Sequence, residues 1–234
     1  FSSDLISTRG PLLVKMVQEA DSIDFQKTDS VLEALILEAN LIKKFQPPYN
    51  TIDKDDKSWN YVVITNEDFP RILIIRGKNL ETVDYKLKAN FGPFTNGSQL
   101  KEALKIVRKI FPFRDKCIPY SELHLKLKAK SHKLKASPRP CFNYQLGLCP
   151  GTCIGIIPKA EYAKTVKHIA DFFAGRKNQL MKNLEQEMKR YSKSREFEKA
   201  DKAKRQIFAL QHIQDIALLK ADKFNSLKAD KFRI

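Results

Sequence analysis

Cysteine is scarce in this chain, four among 234 residues, too few for a secreted scaffold held by disulfides. No segment reads as a signal peptide, and no apolar run approaches the ~18 residues that a membrane span needs. Acids are short as well: 27 Asp and Glu stand against 43 Lys and Arg, for a formal net charge of +16. These absences point to a cytoplasmic chain whose thiols bind metal or do redox chemistry, and whose surface seeks a polyanion. With 42% hydrophobic residues the chain can bury cores without covalent help, and its length suits one large or two to three small domains. Position 1 is Phe, not Met, which reads as a piece of something longer.

The basic excess is uneven. Residues 101 to 140 hold twelve Lys or Arg and three acids, and such a concentration points to nucleic acid. The plainer reading is a solvated face that keeps the protein soluble.

Periodicity divides the chain into four zones. Residues 1 to 50 are mainly helical, with Pro11 in a first turn and a long helix from about Ser30 to Phe45 that stops before Pro47 and Pro48. "YVVIT" (61–65) and "RILIIRG" (71–77) are β-branched runs across a polar turn, predicting an antiparallel pair. "NFGPFTNG" (90–97) reads as punctuation. "QLKEALKIVRKIF" (99–111) then has helical spacing, with Leu100, Leu104, Val107 and Phe111 on one face. A cysteine zone covers 112–157, and helical patterns follow over 159–173, from 178 to about 193, and from 196 to about 219.

The cysteines carry the strongest chemical signal. Cys141, Cys149 and Cys153 lie within "CFNYQLGLCPGTCIG" in a C-x7-C-x3-C pattern, with Cys117 upstream. Four thiolates suit either a tetrahedral zinc or a [4Fe–4S] cluster. Structural zinc sites usually draw on closely spaced Cys pairs, and no C-x2-C occurs here. A Cys-Pro step in a loop bearing Gly147, Gly151 and Gly155 suits the cluster better, because such a loop can turn backbone amides toward sulfur. Zinc is the second choice, and four ordinary buried cysteines the plain one.

Two helical faces add to this. Val31, Ala34, Leu35, Leu41, Ile42 and Phe45 share a stripe on which Glu38 also falls. A carboxylate there has to be paired, hydrogen-bonded or metal-bound, making Glu38 a candidate ligand of a divalent ion. The alternative is that the stripe is rotated and Glu38 sits at its edge, bridged to Lys43. Toward the C-terminus, Leu180, Leu184, Met188 and Tyr191 form one stripe, and Phe197, Ala200, Ala203, Ile207 and Leu210 another, joined by "SKSRE". This is the pattern of an antiparallel hairpin. Alone it is too small to bury a stable core, so it is expected to pair with a second copy or a partner hairpin; packing on the rest of its own chain is the alternative.

These stretches carry a resemblance. "ALILEANLIKKFQPPYN" (34–50) resembles the end of the GIY-YIG nuclease domain of the UvrC family, the incision components of bacterial nucleotide excision repair. "NFGPFTNG", "RKIFPFRDKC", "RPCFNYQLGLCPGTCIG" and "EFEKADKAKRQIFAL" match the family in the same order, the last as a UVR motif. The resemblance implies an α+β fold: an incomplete GIY-YIG domain (1–57), a linking β/α region with a cysteine-rich iron–sulfur site (58–177), a UVR helical hairpin (178–213) and a linker (214–234).

It also implies roles. Glu38 is the expected metal-binding glutamate, holding Mg2+ or Mn2+, and Asn50 the asparagine closing the nuclease motif. Cys117, Cys141, Cys149 and Cys153 are the expected ligands of a [4Fe–4S] cluster. Lys43, Lys44 and Arg71 are expected to neutralise phosphates of damaged double-stranded DNA. Phe197, Ala200, Ile207 and Leu210 are expected to face UvrB. The implied activity is phosphodiester hydrolysis in the repair of damaged DNA, although the tyrosines and arginine completing the site are expected upstream of Phe1, so this chain alone is expected not to incise DNA. The interval between Cys117 and Cys141 is longer than the family's, through "SELHLKLKAKSHKLKAS", and the repeat "LKADKF" (219–224 and 227–232) has no functional reading. A non-enzymatic, metal-binding UVR adaptor of a stress-response system is the rival from another class.

Overall fold

The computed structural model describes residues 11–49, 59–82, 86–123 and 139–213. A short helix α1 (Pro11–Glu19) is followed by α2 (Val31–Phe45). Ser30 starts α2, its hydroxyl accepting the Glu33 amide at 3.2 Å, the usual way to satisfy an orphan donor of the first turn. Lys43 and Lys44 occupy its last turn, where cations complement the helix dipole.

Three strands follow, β1 (Asn60–Thr65), β2 (Ile72–Arg76) and β3 (Leu87–Phe94), in the antiparallel order β2-β1-β3. The predicted hairpin is β1 and β2, with Val62 opposite Ile74 and Val63 opposite Leu73. The predicted punctuation at 90–97 is different: Asn90–Phe94 lies inside β3. Gly and Pro hid this strand, and an edge position explains why they are tolerated. At Gly92, with φ 134°, a Cβ would come within 2.9 Å of the Tyr61 ring, so the close pairing with β1 needs glycine there.

Helix α3 (Gly97–Ile110) is capped by Asn96, whose side chain accepts from Ser98 and Gln99. After the cysteine loop with its short α4 (Phe142–Gln145) come α5 (Lys159–Phe173), α6 (Lys177–Lys193) and α7 (Phe197–Gln211). One continuous apolar core runs through Leu35 of α2, Val62 of β1, Leu100 and Val107 of α3, Tyr162 and Ile169 of α5, Leu184 of α6 and Leu210 of α7. The α6–α7 hairpin is therefore not isolated: Leu180, Leu184, Ala203 and Leu210 are buried against this chain. At its start, Lys177 is ion-paired with Glu33 at the head of α2. Among the described residues no helix is long and apolar enough to cross a membrane.

A buried Arg114 ties these parts together. Its Nε donates to the Phe69 carbonyl at 2.9 Å and a terminal nitrogen to the Cys117 carbonyl at 2.9 Å. Its other terminal nitrogen meets the Glu67 carboxylate. Its backbone amide donates to the Tyr162 hydroxyl at 3.0 Å, which in turn donates to the Pro70 carbonyl at 2.6 Å. Burial pushes the Glu67 carboxyl up, but the Arg71 hydrogen bond, the Thr65 side chain and the Arg114 charge together hold it below its usual value. A depressed carboxyl stabilises the fold above its unfolded-state pKa, and that stabilisation is lost as pH falls through the folded value. Glu67→Gln leaves a buried guanidinium without its counter-ion and should lower the unfolding free energy by about 3 kcal/mol at neutral pH. Urea titrations of both proteins check this, with the difference shrinking as pH falls below the ordinary carboxylate range and wild-type Glu67 protonates.

Candidate functional site

The structure gathers the four cysteines from three stretches of chain. Cys117 lies in the turn after α3, its carbonyl held by Arg114. Cys141 is the residue before α4, and its carbonyl accepts from the Tyr144 amide at 2.9 Å. Helix α4 is closed by Asn143, whose carbonyl accepts from the Leu148 and Cys149 amides at 2.8 and 3.1 Å. Arg108 of α3 reaches across to donate to the Leu148 carbonyl at 3.1 Å and the Phe113 carbonyl at 3.2 Å. Cys153 sits in a tight turn, Thr152–Ile154, entered through Gly151 at φ 87°. A Cβ on Gly151 would lie 3.0 Å from the Tyr144 ring, so both conformation and space require glycine.

The sulfurs of Cys117, Cys141 and Cys153 all lie within 4.8 Å of one another. Cys149 lies beside Cys117, the two sulfurs sharing one neighbouring hydroxyl. The buried Thr152 hydroxyl sits between the two, 3.5 Å from the Cys117 sulfur and 3.9 Å from that of Cys149. Cys149 and Cys153 are buried, Cys117 and Cys141 half-buried, and all four are free thiols.

The environment favours a thiolate at Cys149. The Cys117 hydrogen bond lowers its pKa to about 5 against the effect of burial, helped by the Gly151 and Thr152 amides and the Thr152 side chain. The same Cys149 bond, together with burial, pushes the Cys117 thiol up; burial and the neighbouring sulfurs push Cys141 up. Amides that converge on sulfur are the arrangement a soft metal or an iron–sulfur centre requires. Sequence reasoning misses Thr152, because a lone threonine between Gly and Cys has no periodicity to mark it.

The nuclease-type residues are placed differently. The buried stripe of α2 is Leu32, Leu35, Ile36, Ala39 and Ile42, whereas Val31, Leu41 and Phe45 are exposed. The predicted stripe is thus rotated, and Glu38 is exposed. Its carboxylate accepts from the Thr95 hydroxyl at 3.3 Å, and burial does not force a partner on it. Asn50 lies outside the described residues. Lys43 and Lys44 are exposed. Arg71 is committed to Glu67, with Nε and a terminal nitrogen at 2.9 and 2.7 Å. The carboxylate two residues beyond Thr65 folds back on it.

The hairpin also divides unlike the prediction. Phe197 is 65% exposed at the start of α7. Ala200 and Ile207 are half-buried, and Leu210 is fully buried in this chain's core, so it does not lie on an open seam. One face of the hairpin is used internally, and the aromatic end is left outside.

Comparison with known proteins gives three successive matches. Residues 6–51 match the UvrC-like GIY-YIG domain, 59–172 the middle domain of UvrC/Cho excinuclease, and 178–213 the UvrB/uvrC motif. The UvrABC system protein C of Clostridium kluyveri is 40% identical over 199 residues, covering 85% of this chain and 29% of that protein. Its counterpart in Acetivibrio thermocellus is 35% identical over 213 residues, 90% of this chain and 31% of that one. The counterpart in a Cyanothece species is 37% identical over 202 residues, 86% and 30% respectively. No solved structure matches. The chain spans about three-tenths of the length of these relatives. Three matched regions in one order, and relatives of one kind along most of its length, make this chain a member of the UvrC family.

Proposed function

We propose that this chain is the part of a nucleotide excision repair incision protein that joins a GIY-YIG nuclease centre to a docking hairpin for UvrB, in the bacterial cytoplasm. The observation that carries this reading is the order of the three matched regions along the chain. The shared core supports it, because Leu35 of the helix that carries Glu38 and Leu184 of the hairpin belong to one apolar cluster.

In this reading Glu38 holds a divalent ion, Mg2+ or Mn2+. Its carboxylate is exposed and takes one hydrogen bond from Thr95, so lone pairs are available to such an ion. A metal bound there supplies Lewis-acid polarisation of a phosphate oxygen. Thr95 fixes the carboxylate's orientation, and Asn50 would close the same site. The exposed Lys43 and Lys44 neutralise phosphates of the damaged duplex without reading bases.

The four thiols are read as ligands of a [4Fe–4S] cluster, with zinc as the second choice. The donor set fits either: Cys149 is poised as thiolate, amides of Gly151 and Thr152 point at sulfur, and Thr152 is the neighbour in position to orient Cys117. The ligands hold together a loop, 139–158, that otherwise has few buried apolar residues, so metal and loop stability are coupled. Protein purified without oxygen should be brown, absorb broadly near ~400 nm and carry about four irons per chain. Cys149→Ser should lose the iron. Stoichiometric zinc in its place would overturn the cluster.

Docking is assigned to Phe197 and the half-buried Ala200 beside it. A solvent-facing aromatic at a helix start is the kind of anchor that dominates a small interface. Phe197→Ala should weaken binding to the C-terminal hairpin of UvrB by at least roughly thirtyfold, the equivalent of ~2 kcal/mol. Because the ring is 65% exposed, helicity and iron content should not change. Titration calorimetry checks this, and equal affinities would remove the docking role.

A further inference from the structure

Helices α5 and α6, joined by the short turn at 174–176, fold back on one another and leave a groove that neither the thiol centre nor the docking end uses. Lys164, Lys167 and His168 line it from α5, and Asn183, Glu187 and Arg190 from α6. Both sets follow the three- and four-residue spacing of one helix face. Between them lies an open cleft of about 420 Å³.

The chemistry of this cleft is one-sided. Other cations of the helical layer are answered by acids: Lys159 by Asp68, Arg176 by Asp171, Lys199 by Glu196 and Arg205 by Asp201. Lys164, Lys167 and Arg190 are exposed and, among the described residues, form no ion pair. The Arg190 guanidinium is steadied instead by the Tyr191 ring, 4.9 Å from its centroid. Glu187 is the acid of the groove, and its carboxylate lies 3.7 Å from Nε2 of the buried His168. Asn183 commits its side-chain oxygen to the Gln179 amide at 2.9 Å, which leaves its own N–H groups to donate. A cleft dominated by cations and N–H donors suits an anion.

Length and polarity choose among anions. From Asn183 to Arg190 the lining follows α6 for two turns, about 10 Å at 1.5 Å per residue. One strand of a duplex presents about three phosphates over that axial distance, and three cations stand along it. An acidic protein segment would need an apolar anchor for a stable interface. None of the large exposed hydrophobic side chains lines this groove.

We propose that the α5–α6 groove is a phosphate track for one strand of DNA, with Lys164, Lys167 and Arg190 neutralising successive phosphates and Asn183 donating to one of them. The inference rests on the DNA-binding reading above and adds to it a contact surface separate from Lys43 and Lys44. Such contacts fix register and orientation without reading sequence. Because Arg190 lies in the last turn of α6, the track ends close to the docking end of the hairpin.

The test is fluorescence anisotropy of the whole chain with a labelled duplex of about 20 base pairs across a salt series. Lys164→Gln, Lys167→Gln and Arg190→Gln combined should weaken binding more than about tenfold at ~0.1 M salt, and lower the slope of log K against log salt by about 2 to 3, about 0.9 for each phosphate. A charge-matched control at the exposed Lys78, Lys86 and Lys88, each changed to Gln, should lower the slope by less than about 1. Asn183→Asp keeps the oxygen that Gln179 uses but sets a carboxylate in the track, and should weaken binding at least about threefold. These side chains lie outside the core, so circular dichroism should be unchanged in every variant. Equal losses in the groove variant and the control would overturn the track, leaving diffuse charge alone. An unchanged slope in the groove variant would overturn it too, and loss of binding to the UvrB hairpin in its place would assign the groove to a protein partner. If the unaltered chain binds no duplex at any salt, the DNA-binding reading itself fails and the track with it, an outcome distinct from the others.

Discussion

A buried guanidinium must have each of its N–H groups answered, and those of Arg114 are answered from separate parts of the chain. Glu67 and Phe69 come from the turn between β1 and β2, and Cys117 from the head of the cysteine loop. The Arg114 amide adds Tyr162 of α5. Taking such a group out of water is expensive, and a buried ion pair is seldom a net source of stability against apolar packing. What it supplies here is position. Planar donors in a fixed fork accept one arrangement of carbonyls and carboxylate, so sheet, cysteine loop and helix layer are set against one another at a single residue. Arg108 repeats the device on the other side of the loop through the Leu148 carbonyl.

The loop between these two arginines could not hold a shape by apolar burial alone. Cys149, Gly151, Thr152, Cys153 and Ile157 are the buried residues of 139–158, while its larger exposed side chains, Phe142, Leu146 and Ile156, are hydrophobic. Its geometry comes from hydrogen bonds, from glycines in left-handed conformations and from the thiol cluster. Donors converge on Cys149 in a way that favours negative charge on sulfur, which is also the state in which sulfur binds metal. Loop geometry and the charge state of its thiols are thus two expressions of one set of contacts.

Much of this was legible in the sequence where periodicity carried it. The helix over 31–45 and the strand pair at 61–77 followed from apolar spacing and turn chemistry. The gathering of thiols followed from cysteine clustering. What spacing misjudged was phase. Residues 31 to 45 contain two overlapping apolar stripes, and the choice between Leu32–Ile36–Ala39 and Val31–Glu38–Leu41 is made by what α2 lies against, which one-dimensional periodicity does not include. Strand β3 was hidden for a different reason: Gly92 and Pro93 are turn residues by composition, and only pairing along one edge of β1 makes a strand of them. Arg114 and Glu67 were invisible because they are distant in sequence and ordinary in type. Leu210 shows the same limit, since a hairpin's spacing reveals that one face is apolar but not whether a partner or the chain itself covers it.

The burial of the hairpin's inner face has a consequence for any partner that would dock on its outer end. A hairpin on a loose tether would meet its partner at an effective concentration set by linker length, and catching the partner would not determine where the rest of the chain then lay. Here Leu180, Leu184 and Leu210 sit in the same core as Leu35 of α2, and Lys177 is clasped by Glu33. A protein grasped at Phe197 would therefore be held at a set distance and angle from the helix that carries Glu38, so the hairpin works as a ruler and not as a leash.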